Sequence, residues 1–288
     1  MRLVRVGPVG QERPAVWTGP DRAVDVSSFV TDVDGAFLAS GGPERLAEWL
    51  ARRSDLPEID LSQVRIGAPI SRPGKVVCVG LNYRAHAAEG GMAVPAEPVL
   101  FLKAAYTVVG PYDDVLIPPG SSKTDYEVEL AVIIGRPARY LVGPAAAFGH
   151  IAGYAVTNDV SEREYQLERG GQWDKGKSCE TFNPLGPWLV TADEIRNPQA
   201  LGLELSVNGS VRQKSTTSDM IFDVAHLVWY ISQFMVLEAG DVINTGTPHG
   251  VGLGMKPARY LRDGDVVELS IEGLGNQRQV FRQARAGR

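Results

Sequence analysis

The sequence predicts an α+β fold that is mostly β, with a small N-terminal α+β domain over residues 1–70 and a larger domain over 71–288. Three observations carry this. Short β-branched runs bounded by Gly, Pro and Asn recur along the chain. Few stretches place apolar residues at helical spacing. Ser71-Arg72-Pro73-Gly74 makes a linker between the two parts. With 288 residues, the chain is long enough for one large or two unequal domains. A 44% hydrophobic and 22% charged composition is that of an ordinary globular protein. The net charge of −5 disfavours nucleic acid or an anionic membrane as main partner. Cys78 and Cys179 form no C-x-x-C pair and read as reduced thiols. The N-terminal stretch lacks the apolar core of a signal peptide, and no run reaches the ~18 apolar residues of a membrane helix. A cytoplasmic protein is the expectation.

In the first part, Leu3-Val4-Arg5-Val6 and Ala15-Val16-Trp17 read as paired strands around a Gly7–Pro14 turn region. Gly42-Pro43 opens a helix whose apolar face is Leu46, Trp49 and Leu50. Nothing there carries chemistry, so this is an accessory unit. Lys75–Gly80 is then a buried strand. It leads into Leu81–Gly91, where His86 and Glu89 share a face if the piece is helical. A carboxylate so placed orients an imidazole as a base, although, taken alone, the spacing is better explained by an exposed polar pair on a short helix. The neighbouring glycines and the Pro95–Pro98 region suit a mobile cover.

The stretch from Asp125 to Gly135 organises the rest. Its second half reads as a buried strand, and alternation turns Glu127 and Glu129 to one face. Two close carboxylates repel unless a cation lies between them, and a hard divalent ion with oxygen ligands is the natural occupant. A solvated edge strand is the plain alternative. Val99–Lys103, Val115–Gly120 and Ile151–Thr157 are further strands, the last ending at Asn158-Asp159. Asp159 either completes a three-acid site or belongs to a capping box of Ser161 with Glu164.

Lys177 lies in a stretch of apolar and turn residues. It is a surface lysine, or, drawn inward, a cation needing an anionic partner. Leu203–Val207 and Ser210–Gln213 form a hairpin around Asn208-Gly209, a type I′ signal. A long helix is expected near 219–237, begun by Ser218-Asp219, with Ile221, Val224, Ala225, Val228, Ile231 and Phe234 as its buried stripe. The glycine-rich loop after Asp241–Asn244 fails the dinucleotide pattern because Met255 stands where glycine is needed. Its backbone N–H groups and threonine hydroxyls are better suited to facing a carboxylate. A last hairpin spans Asp265–Ile271 and Arg278–Phe281, and Arg282–Arg288 is expected to fray.

Taken together, Val79–Tyr83 with His86 and Glu89, Tyr126–Leu130, Asn158–Ser161, Lys177–Pro187 and Thr245–Pro248 resemble the fumarylacetoacetate hydrolase family. The likeness covers about three quarters of the chain, residues 70–284. It is greatest to the bacterial branch of acylpyruvases, diketo-acid hydrolases, 2-hydroxyhepta-2,4-diene-1,7-dioate isomerases and ureidoglycolate lyases. The resemblance implies a mixed β-sheet roll and a homodimer. It implies Glu127, Glu129 and Asp159 as ligands of Mg²⁺ or Mn²⁺, with Ca²⁺ an alternative. It also implies Lys177 as an active-site lysine, His86 and Glu89 as a water-activating dyad on a lid, and Gln166, Thr247 and Arg84 as substrate contacts. Cys179-Glu180 departs from the aromatic residue and Asp expected there, and His249 from a frequent proline.

The function so implied is metal-dependent hydrolysis of a C–C bond in a 2,4-diketo acid, through a metal-stabilised enolate. Isomerisation and decarboxylation of a 2-oxo acid use the same site and stay open. The rival from another class is a metal-stabilised scaffold that binds a ligand without turning it over.

Overall fold

The computed structural model describes every residue except Gly90, Met92 and Arg288. Gly90 of the expected cover and the terminal Arg288 therefore lie outside the described residues. Arg2–Val6 (β1) and Arg13–Gly19 (β2) pair antiparallel, with Leu3 opposite Val16, and Arg22–Asp25 (β3) joins β2. Gly35–Ala39 (α1) is capped by Asp34, whose carboxylate accepts the Phe37 N–H, and Gly42–Leu50 (α2) carries Pro43 in its first turn. Glu58–Asp60 (β4) closes the ribbon against β3.

Val76–Gly80 (β5) runs into the short helix Arg84–Glu89 (α3). Val99–Lys103 (β6), Val108–Val109 (β7), Val115–Ile117 (β8) and Thr124–Asp125 (β9) lead to Val128–Ile134 (β10). Ile151–Asn158 (β11), Ser161–Glu162 (β12), Arg163–Leu167 (α4), Asp174–Lys177 (α5) and Asn183–Thr191 (β13) follow. The chain ends with Gly202–Val207 (β14), Ser210–Thr216 (β15), Val224–Ile231 (α6), Val242–Asn244 (β16), Val266–Ile271 (β17) and Gly275–Gln283 (β18).

The main sheet runs β4-β3-β2-β1-β13-β11-β10-β16-β5-β6, with β7 on β13; a second sheet runs β15-β14-β17-β18-β8. The β16–β5, β13–β7 and β18–β8 pairs are parallel and the others antiparallel, so both sheets are mixed and the fold is the mostly-β α+β class expected. Residues 1–70 are not a detached sheet: β1 bonds along β13, with Leu3 opposite Leu189.

Strand β10 shows why the site lies where it does. Val128, Leu130, Val132 and Ile134 point into the core shared with the second sheet and α6. Ala131 and Ile133 point the other way, into a core with Leu3, Phe37 and Leu46 of the N-terminal unit. Alternation carries Glu127 and Glu129 onto that second face, beyond the cover of α1 and α2. The N-terminal unit thus seals the apolar end of this face and leaves its acidic end open.

Some elements differ from the sequence reading. The helix expected at 219–237 is only α6, capped by Asp223 through the His226 N–H. Residues 220–222 do not join it: the Met220 N–H donates to the Thr217 carbonyl, and Asn82 takes the next two, its carbonyl accepting from Ile221 and its Oδ1 from Phe222. Phe234 is 64% exposed and drops out of the buried stripe. Ser161 does not cap α4. It pairs with Asp125 in β12, and Glu162 accepts the Glu164 N–H instead. Strand β18 reaches Gln283, longer than the expected hairpin arm. The β14–β15 turn has Asn208 at φ 51° and Gly209 at φ 75°, the two positive angles that a type I′ turn demands.

Candidate active site

The β10–β11 register, Val128 opposite Asn158, continues one residue further: the Asp159 N–H donates to the Glu127 carbonyl at 2.9 Å. This places Asp159 beside the glutamate pair. Oxygens of Glu127, Glu129 and Asp159 all lie within 4.8 Å of one another, and all three side chains are buried. The acid pair is therefore no solvated edge, and Asp159 is no helix cap.

Three buried cations answer the charge. Lys177 Nζ lies 2.7 Å from Glu127 Oε2 and 2.8 Å from Asp159 Oδ2. Lys103 Nζ donates to Asp159 Oδ1 and to the Val160 carbonyl. Arg163 donates from Nε to Asp125 Oδ2 at 2.9 Å. Its Nη2 stands 2.7 Å from Glu127 Oε1, an ion contact off the line of a good hydrogen bond. Four buried acids, Asp125, Glu127, Glu129 and Asp159, thus face three buried cations. Glu129 is the acid left over: among the described residues it accepts only the Gly246 N–H, at 2.7 Å.

The electrostatics follow. Burial works against an ionised Glu127, yet Lys177 and Arg163 hold its carboxyl down at about 2. Burial pushes Glu129 well above the carboxylate range, reinforced by the charges of Asp159 and Glu127. Burial also disfavours the Lys177 ammonium, but Asp159 and Glu127 outweigh it and raise its proton affinity. A buried carboxylate with no cation of its own, within reach of two others and with only oxygen donors, fits a hard divalent ion.

The loop from Thr245 to Gly254 hands its amides to carboxylates, but to the chain's own. Gly246 serves Glu129; Gly250 serves Glu89, at 3.0 and 3.2 Å to its two oxygens; Gly252 and Leu253 serve Asp125 at 2.7 and 3.0 Å. Glu89 in turn stands 3.4 Å from His86 Nδ1. Burial opposes the Glu89 charge, but the hydrogen bonds from His86 and Gly250 keep its carboxyl below the ordinary range.

His86, Glu89, Glu127, Glu129, Gln166 and Lys177 line one cavity of about 450 Å³, and Arg163 and Thr247 line it too. Gln166 Oε1 accepts from Arg163 Nη1. The Thr247 hydroxyl donates to the Val128 carbonyl and accepts from Gln213, so its side chain is already engaged. Arg84 does not line the cavity: it is exposed and donates to the Met220 carbonyl. His249 is exposed, and its charge is felt at Glu89. Cys179 is also absent from the lining, its thiol directed to the Lys175 carbonyl. Both cysteines are free. A larger cleft of about 610 Å³ beside α2, with Glu44, Arg136 and His150, holds none of the three acids. We therefore place the chemistry in the smaller one.

Two residues at the centre escaped the sequence reading. Lys103 ends a strand and passes for an edge lysine; Arg163 passes for a surface residue of a short helix. The signal that finds them is charge balance, because three inward acids need more than Lys177.

The family model described as fumarylacetoacetate (FAA) hydrolase C-terminal matches residues 75–282. A Burkholderia multivorans protein is 51% identical over 286 residues, 99% of this chain and all of its own. The structure of 2-hydroxyhepta-2,4-diene-1,7-dioate isomerase from Mycobacterium marinum is similar at 34% identity and TM-score 0.77, covering 100% of both chains. That of maleylpyruvate hydrolase from Sphingobium sp. SYK-6, in complex with manganese(II) and pyruvate, is similar at 30% identity and TM-score 0.82, covering 99% of this chain and 100% of its own. Among the described residues no helix is long and apolar enough to cross a membrane.

Proposed function

The chain belongs to the fumarylacetoacetate hydrolase family, and from that premise we propose that it is a divalent-metal-dependent hydrolase cleaving a C–C bond in a 2,4-diketo acid. The observation that carries the reading is the cluster of Glu127, Glu129 and Asp159, whose oxygens lie within 4.8 Å of one another, with Glu127 and Glu129 lining one cavity beside a His–Glu pair, Lys177 and Arg163. The three acids would hold the ion; their oxygen donors suit Mg²⁺, Mn²⁺ and Ca²⁺ alike, and the family resemblance puts Mg²⁺ or Mn²⁺ first. When bound, the ion supplies Lewis-acid polarisation of a chelating 2-oxo acid.

The remaining work falls to the chain's own groups. Glu89, clamped by the Gly250 N–H, fixes His86 through Nδ1 and leaves Nε2 to take a proton from water. Lys177 and Arg163 put positive charge at the cavity wall where an oxyanion develops. Gln166, its Oε1 held by Arg163, presents amide hydrogens to the substrate. With the Thr247 hydroxyl committed, the backbone there is what meets a substrate carboxylate.

Asp125 is the positioning residue of this set. It accepts from Arg163 and from the Gly252 and Leu253 amides, so it ties the cationic wall to the loop that holds Glu89. We also propose a homodimer, as the family resemblance implies.

The test is turnover of acylpyruvates with Mg²⁺, read as release of pyruvate together with the matching carboxylic acid. Double-bond migration without cleavage instead assigns an isomerase, the second reading, which the M. marinum relative's name favours. Release of CO₂ assigns a decarboxylase. No turnover with metal-dependent ligand binding assigns the scaffold.

A further inference from the structure

We infer that the substrate group beyond the 2-oxo acid head is an uncharged apolar chain or ring and not a second carboxylate. This rests on the reading that the head binds at the acid cluster.

One wall of the cavity is aromatic and starts at the chemistry. Phe101 stands edge-on to Trp173, centroids 5.4 Å apart at 62°, and Lys177 Nζ lies 4.9 Å over the Phe101 ring. The Trp173 ring is seated directly on backbone: a Cβ at Gly80 would stand 2.5 Å from its Cζ3. Only glycine lets the indole lie there, so this surface is fixed. Leu81 and Met255 continue the apolar lining. At the mouth, Leu167 is 46% and Leu253 40% exposed. Apolar side chains left in water around a concave opening are surfaces that a ligand covers.

The charges agree. Three cations line the cavity: Lys177, Arg163 and Lys256. Lys177 and Arg163 are engaged by Glu127, Asp159 and Asp125. Lys256 is exposed and makes no ion pair among the described residues. A distal carboxylate against the aromatic wall would lose water, and the one unpaired cation of the lining, Lys256, is exposed, where an ion pair is screened and worth little. An apolar tail loses nothing there and covers Trp173, Leu167 and Leu253.

The probe is a series of oxamates, which share a planar two-carbonyl head and differ in the substituent on nitrogen. Bare oxamate, N-propyl, N-benzyl and N-(2-carboxyethyl) oxamate are titrated calorimetrically into the Mg²⁺-loaded protein. Apolar tails should bind more tightly than bare oxamate, by about 4-fold per methylene covered, and the carboxylate tail no more tightly than bare oxamate. Leu253→Asp, at a 40% exposed position, should shrink the ratio of apolar-tailed to bare affinity several-fold, and Trp173→Ala should shrink it further. A carboxylate tail that binds most tightly, with an advantage lost in Lys256→Ala, overturns the inference. So does bare oxamate binding with no gain from any tail, and the head-group reading then stands. Failure of bare oxamate to bind brings down the head-group reading, and this inference with it.

Discussion

Gly254→Ala probes the catalytic pair without touching it. A Cβ at 254 would stand 2.3 Å from Glu89 Cδ and 2.6 Å from its Oε1. Carbon–carbon contact settles near ~3.5 Å, so the carboxylate must retreat by about 1.2 Å. That retreat breaks the Gly250 N–H bonds to Glu89 and takes the carboxylate out of line with His86 Nδ1. A misplacement of about 1 Å in a catalytic array costs roughly 10²-fold, so kcat should fall by that factor. The fold should hold, because the clash is with the far end of a flexible side chain. One or two weakened hydrogen bonds, at about 1 kcal/mol each, lower Tm by only a few degrees in a chain of this size. The assay is steady-state turnover beside a melting curve. A variant with unchanged kcat shows that Glu89 need not sit where the Gly250 N–H holds it, and refutes the orientation argument. A collapse in Tm leaves kcat reporting on folding, and Glu89→Gln then carries the same test.

Three further outcomes are expected. Glu129→Gln removes the one acid of the cluster without its own cation, so the metal-free protein should be no less stable than wild type. The stabilisation by Mg²⁺, about 2.7 kcal/mol at a hundredfold excess over Kd, should vanish in its melting curve; a persisting shift disproves its role as ligand. His86→Ala should lower hydrolysis roughly 10²–10⁴-fold, and an unimpaired variant places the reaction with enolate tautomerisation or decarboxylation. Asp32 accepts from Arg5 Nε and Nη2 within the N-terminal unit. Burial opposes its charge, but Arg5 holds its carboxyl below the ordinary value. A depressed acid stabilises the fold above its unfolded pKa, about 3.9, and loses that contribution as pH falls through the folded value. Asp32→Asn should therefore lower Tm at pH 7 and converge with wild type below the carboxylate range; a gap that is constant with pH counts against the ion pair.

Much of the site was legible because it is written in strand alternation. Glu127 and Glu129 share a face in any extended chain, and a strand ending at Asp159 needs only a neighbouring register to join them. Lys103 and Arg163 were not legible, because burial of a long cation is decided by what packs over it. Lys103 sits under Phe182, 6.0 Å from its ring, a contact some eighty residues away in sequence. The overlong helix has the same cause. A helical stripe at 221–234 cannot reveal that Asn82, some 140 residues earlier, claims the Ile221 and Phe222 amides. Arg84 shows the limit of a residue-by-residue likeness, since one turn of a short helix decides whether a guanidinium meets the cavity or the Met220 carbonyl.

The central claim is a metal-dependent site for a 2-oxo acid, and calorimetric titration with oxalate tests it most directly. Oxalate is a planar mimic of the enolate, and its two oxygens need the ion that Glu127, Glu129 and Asp159 are placed to hold. Binding with Mg²⁺ present and none after EDTA is the predicted result. Equal binding in both conditions, or none in either, contradicts it.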